Sequence, residues 1–288
     1  MLEKLARPDL VRLLHRGLNR LSTESRRVAV LLELKIELLL HCWMWLCVAF
    51  GSLKLLALAA LYPEAVAMAD LPLLALPYLL IALAPIAGYR LATACFPAGR
   101  LLAQPGLRLA RFGRWQNVPA FDAARATEYG PSGVIVSLIA GLLISIVLRS
   151  GEYFVAVPAI PLMAPVWART IIQVMTLDMV VMGFLYSVCF VMALRSVPYF
   201  PRMMVLTWAT DLTMQLGIAS TMAATPDLPI EVAQALQPFV TGNLQKVLIS
   251  VTLWLPYLLV SRRVNLTFRH RVRVRGSRTF APQMALAG

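Results

Sequence analysis

Apolar residues in this chain come in long unbroken blocks, separated by short basic, polar or proline-rich stretches. That is the pattern of helices that cross a bilayer, not of amphipathic elements around a water-soluble core. Six blocks approach the roughly 20 residues that cover a ~30 Å hydrocarbon core: about 36–60, 71–94, 133–148, 170–194, 203–223 and 244–261. The third is short, and Pro77 and Pro85 interrupt the second. Ahead of the first block, Leu2, Leu5, Leu10, Leu13, Leu14, Leu18 and Leu21 recur at helical spacing, with Lys4, Arg7, Arg12, Arg16 and Arg20 between them. This predicts an N-terminal amphipathic helix over 1–24, lying in the membrane interface or docked on a partner, with a break at Ser22-Thr23. The expected fold is an all-α integral membrane protein of six transmembrane helices.

Composition agrees: 59% of residues are hydrophobic, only 14% are charged, and mean hydropathy is +0.73. Soluble domains carry about a quarter charged residues. Charge then orients the spans. With both termini in the cytoplasm, 23 of the 27 Lys and Arg fall on that side, in 1–35, 90–130, at 195 and 202, and in the tail. Lys54, Arg149, Arg169 and Lys246 are left near the outer helix ends, where long side chains reach out to the interface. The expected topology is therefore N-in and C-in, in a bacterial inner membrane. The net charge of +13 suits anionic head groups and carries no nucleic-acid motif.

Five segments are expected: a basic amphipathic N-terminus (1–35), a two-span unit (36–97), a basic cytoplasmic loop (98–129), a four-span bundle (130–263) and a basic tail (264–288). The turn Gly130-Pro131-Ser132-Gly133 marks the boundary between the two membrane units. Within the 98–129 loop, Pro105-Gly106 precedes a short basic amphipathic piece. Pro229 starts a short outer helix over 229–237.

The last span and its exit contain Trp254, Pro256, Tyr257, Ser261, Arg263, Val264, Thr267 and Phe268. This resembles the ending of the domain of unknown function 2569 family, the YdgK-like multi-span bacterial membrane proteins. The Gly130–Gly133 turn is similar to that family's Gly-Gly span opening, and the Arg195–Pro201 turn to its short basic-plus-proline turn between two spans, so the resemblance covers about 130–270. It implies a four-span architecture there and no established activity. Physically, Pro256 frees the carbonyl of Thr252 and kinks the span, Ser261-Arg262-Arg263 forms the stop, and Thr267-Phe268 is expected along the membrane surface.

Ionisable groups inside a bilayer are costly and mark function by default. Asp178 with Gln173, and Asp211 with Gln215, are the intramembrane polar candidates. Arg195 or Arg202 is the expected partner of Asp211, and Arg169 or Arg149 that of Asp178. The two carboxylates are expected at different depths. Enzyme motifs are absent: there is no HExxH, GxSxG, P-loop or GxGxxG, and no cofactor or metal is implied. Only His41 with Glu37 offers an interfacial acid-base pair, and an ordinary helix-surface pair explains it as well. The four cysteines lie in or beside spans and read as small buried apolar residues. Gly133, Ser137, Gly141 and Ser145 form a stripe of small residues suited to close helix packing, inside the fold or against another protein. The function expected is that of a non-catalytic accessory or partner-binding membrane subunit with a basic cytoplasmic docking face. A small transporter or channel using the two aspartates is the alternative, and an interfacial enzyme the third.

Overall fold

A computed structural model describes residues 6–100, 102–106 and 113–274. The chain is mostly helical. The helices are α1 (Ala6–Leu61), α2 (Leu71–Cys95), α3 (Ala120–Arg125), α4 (Val134–Ala156), α5 (Val166–Leu194), α6 (Phe200–Ala224), α7 (Ile230–Val260) and α8 (Arg262–Arg269). Two short strands, β1 (Trp115–Asn117) and β2 (Arg271–Arg273), pair antiparallel with Gln116 opposite Val272. Five helical segments are long and apolar enough to cross a membrane: Glu24–Leu61, Met68–Cys95, Val134–Ala156, Val166–Leu194 and Ile230–Val260. The expected span at 203–223 is also a helix, α6, but Arg202, Asp211, Gln215 and several threonines leave it too polar to count on composition.

Three boundaries differ from the sequence reading. No break interrupts α1 at Ser22-Thr23; the helix runs on through it. The third apolar block does not stop at 148 but continues to Ala156, because Arg149 turns inward and Tyr153 and Phe154 are buried behind it. The outer helix expected at 229–237 is simply the start of α7, with Pro238 inside the helix.

α5 is the central element. Its buried face runs from Ala168 to Ala193 and packs against α2, α4 and α6. The α2–α5 contact is the most extensive in the fold and crosses the division expected at 129–133. It is close because both helices offer glycine: a Cβ on Gly88 would lie 2.5 Å from the Phe184 carbonyl oxygen, and one on Gly183 would lie 3.3 Å from Pro85. α1 lies along α2 and α4 through a narrow stripe that includes Ile36, Trp43 and Cys47. Trp43 Nε1 donates to the Ala82 carbonyl at 3.1 Å, and Arg90 pairs with Glu37 at 2.6 Å. Glu37 is thus engaged by Arg90, while His41 Nδ1 lies 2.6 Å from the Glu37 carbonyl oxygen.

Described residues of the 98–129 loop and of the tail pack together. After α7 the chain turns at Ser261 into α8, whose Thr267 and Phe268 are fully buried instead of lying on a membrane surface. Asn265 Nδ2 donates to the carbonyls of Leu259 and Ser261, and Arg269 Nη1 to that of Leu258 at 2.7 Å. The bonds to Leu258 and Leu259 satisfy carbonyls that the end of α7 leaves without helical donors, while the Ser261 carbonyl also accepts from the Asn265 backbone N–H. His270, left-handed at φ 47°, ends α8 and delivers β2 to β1. The result is a cap built from β1, α3, α8 and β2 at one end of the bundle. The expected amphipathic piece at 107–112 and the tail at 275–288 lie outside the described residues, as do the side chains of 1–23.

Candidate functional site

Halfway through the bundle, α4, α5 and α6 each place one charged side chain on a common point. Arg149 comes from α4, Asp178 from α5 and Asp211 from α6; the arginine side chain is 8% exposed and both aspartates are 0% exposed. Arg149 Nη1 donates to both oxygens of Asp211 at 2.7 Å, and Nη2 donates to Asp178 Oδ2 at 2.7 Å. Tyr186, two helical turns beyond Asp178 on α5, donates its hydroxyl to Asp211 Oδ2 at 2.5 Å. Gln215, one turn beyond Asp211 on α6, donates from Nε2 to Asp178 Oδ1 at 3.2 Å. Every carboxylate oxygen is therefore hydrogen-bonded, as buried charges require.

One guanidinium balances two carboxylates. With both aspartates ionised the group carries one net negative charge. Arg149 Nε and Gln215 Oε1 are buried without a hydrogen-bond partner among the described residues. One turn further along α4, the Tyr153 hydroxyl bonds Thr176 Oγ1 at 2.7 Å, extending the polar seam on α5.

The expected partners of Asp211 lie elsewhere. Arg195 donates to the Thr93 carbonyl at 2.9 Å and to that of Phe96, tying α5 to the end of α2. Arg202 lies in the first turn of α6, and its Nη2 is buried with no hydrogen-bond partner. Gln173 is exposed on α5, away from the cluster. The depth expectation also fails, and the helix bounds explain why. Asp178 is twelve residues inside Val166 and Asp211 is thirteen inside Ala224, so on antiparallel neighbours they sit level. Sequence reasoning missed Tyr186 and placed Arg149 at a helix end; the one signal for Tyr186 was its i+8 spacing from Asp178 along α5.

Of the residues singled out at the end of the last span, Ser261, Arg263, Val264, Thr267 and Phe268 lie in the cap, and Trp254, Pro256 and Tyr257 in α7. Arg263 donates to Ser132 Oγ, Gly130 N–H to Thr267 Oγ1 at 3.2 Å, and Phe268 packs on Phe200 with ring centroids 5.0 Å apart. Ser261 Oγ accepts from Val264 N–H at the start of α8, and Trp254 stands edge-on to Tyr257 at 5.9 Å. The ending, the 130–133 turn and the 195–201 turn thus form one contact region. Its glycines are required by geometry: Gly130 and Gly133 have φ of 93° and 71°. Gly133 N–H also donates to Ser25 Oγ at 2.6 Å, joining α1 to the start of α4. Burial, with Arg271 and Arg202 nearby, pulls the Arg269 guanidinium down to about 10, which still leaves it charged at neutral pH. All these contacts hold chain segments together.

Among the described residues, no group of three or more His, Cys, Asp or Glu gathers as a metal site. The small-residue stripe is open in its middle, where Ser137 is exposed and a Cβ on Gly141 would meet nothing within 4 Å, but closed at Gly133, where a Cβ would lie 3.5 Å from Arg263. Comparison with family models, curated proteins and solved structures finds no match.

Proposed function

We propose that the protein is a non-catalytic accessory subunit of a bacterial inner membrane, binding a partner protein through its helices and its basic cytoplasmic face. In this reading α6 crosses as a sixth span beside the five apolar helices, its Asp211 neutralised by Arg149, and both termini are cytoplasmic. The observation that carries it is the open small-residue stripe on α4. Helices associate in lipid by close packing of small residues, and among the described residues the Ser137–Gly141 part of that surface is exposed or meets nothing, while Gly133 is taken up by Ser25 and Arg263. The cap supplies Arg262, Arg263, Arg271 and Arg273 at the same end as the basic start of α1, which suits an acidic partner surface or anionic head groups.

Affinity purification of the full chain in mild detergent, with mass spectrometry, tests this. A stoichiometric companion is expected from the wild type. Gly141→Leu should lose it while the melting temperature holds, because the new side chain enters open space. Recovery of the protein alone overturns the accessory reading.

A second reading, transport, draws on the uncompensated negative charge at Arg149, Asp178 and Asp211 and on the unpartnered Arg149 Nε and Gln215 Oε1. Such a group suits a bound proton or ion. It ranks second because each carboxylate oxygen is already taken within the fold.

A further inference from the structure

α2 and α5 touch backbone to backbone at Gly88 and Phe184, yet they part toward the end of the bundle away from the cap. Pro77 and Pro85 explain this, since each removes a helical hydrogen bond from α2 and bends it. The gap forms a cavity of ≈ 530 Å³ whose wall is mostly leucine and proline, including Leu73, Pro77, Leu80 and Leu177. A second cavity of ≈ 360 Å³, almost wholly apolar, continues it past Ala87 and Phe184. The two share Leu80 and Val180, so they form one furrow along α5 from Arg169 to Leu185. Sixteen residues of helix make it about 24 Å long, more than the ~15 Å depth of one hydrocarbon leaflet.

The polar groups of the furrow gather at one end. Arg169 and Gln173, one turn apart on α5, stand at the mouth, and Arg169 pairs with no carboxylate among the described residues. A free guanidinium above an apolar channel matches a phosphate joined to an acyl chain, because its planar fork binds phosphate oxygens in pairs. We propose that the α2–α5 furrow is a specific phospholipid site, with one acyl chain along Leu80 and Val180 and the phosphate diester on Arg169. This goes beyond partner binding and rests only on the bundle being embedded in a bilayer.

The test uses the full-length protein in phosphatidylcholine vesicles doped with phosphatidylglycerol bearing a mid-chain diazirine. After illumination, adducts are mapped by peptide mass spectrometry. Adducts are expected on the α2 and α5 peptides around Ala87 and Val180, suppressed by excess unlabelled phosphatidylglycerol but not by diacylglycerol with the same chains. Arg169→Gln should lower their yield about tenfold, and Arg169→Lys should restore much of it, as loss and return of a charged hydrogen bond predict. Ala87→Phe should block the deep adducts while leaving those near the mouth. Equal labelling of the exposed leucines of α1 would overturn the proposal, since it marks general lipid contact. An Arg169→Gln yield equal to wild type would overturn the phosphate assignment. No adduct anywhere would overturn bilayer insertion itself, and the lipid site with it, whatever the companion experiment shows.

Discussion

Arg149 on α4 and Asp211 on α6 stand 62 residues apart in sequence and meet face to face, one guanidinium nitrogen 2.7 Å from each carboxylate oxygen. That pairing, with Asp178 on the second nitrogen, locks three helices around one point. Removing one member of a buried pair is far more costly than removing the set.

Arg149→Met should therefore destabilise the bundle by about 3–5 kcal/mol, because two carboxylates lose their shared counter-charge. Adding Asp178→Asn and Asp211→Asn to it should recover most of that loss. Thermal unfolding in one detergent, followed across the series, reads both steps. Equal melting temperatures for wild type and Arg149→Met would show that the cluster contributes no stability.

The two aspartates should respond unequally. Asp178→Asn leaves a neutral Arg149–Asp211 pair and keeps an oxygen that accepts from Nη2, so its cost should be under about 1 kcal/mol. Asp211→Asn forfeits the two-oxygen contact and the Tyr186 bond, and should cost several-fold more. The same unfolding assay ranks them, and a reversed order would mean that the surplus charge resides on Asp211.

Tyr186→Phe deletes the 2.5 Å bond to Asp211 and the hydroxyl's contact with Arg149, and leaves the charged groups in place. A loss of about 1 kcal/mol is expected, since hydrogen bonds between helices in lipid are individually modest. A loss as large as that of Arg149→Met would contradict the assignment of Tyr186 as a supporting donor.

Gly88→Ala should be worse than Gly183→Ala. The first forces a methyl to 2.5 Å from a backbone oxygen that cannot swing aside, while the second meets the Pro85 ring at 3.3 Å. Yield of folded protein and the rate of cysteine cross-linking between α2 and α5 should both fall in that order.

Asn265→Ala should cost about 1–2 kcal/mol and expose the chain after 261 to protease, because the Leu259 carbonyl loses its donor and Arg269 loses the Asn265 Oδ1 acceptor. Limited proteolysis of intact vesicles would show whether cleavage in the cap rises.

The long apolar segments were legible from hydropathy, because a bilayer asks only for length and apolarity over a window. Residue depth was not legible to the same degree. Counting inward from the apolar edges at 170 and 203 put Asp178 and Asp211 at different levels; counting from the helix ends at Val166 and Ala224 makes them level. The difference is one helical turn at the outer edge of α5, from 170 back to Val166, hidden because Arg169 does not read as a membrane residue; the outer edge of α6 moved by a single residue, from 223 to 224. Arg149 was misplaced for a related reason. An arginine followed by Ser150, Gly151 and Glu152 imitates a helix exit, and only the two carboxylates on other helices let it stay inside. The cap was illegible because its strands are three residues long and lie far apart in sequence.

That separation also orders the assembly of the cap. β1 pairs with β2 across an interval of 154 residues, so Asn117 waits for Arg271 until every span has been made. Local helices form as they are synthesised, but this pairing requires closure of a very long loop and comes last. A ribosome that stops anywhere before Arg271 leaves a bundle whose α2–α4 connection has no strand to join. The presence of Arg271–Arg273 is thus a condition on Trp115–Asn117, a strand near the chain's middle that has its pairing only once they exist.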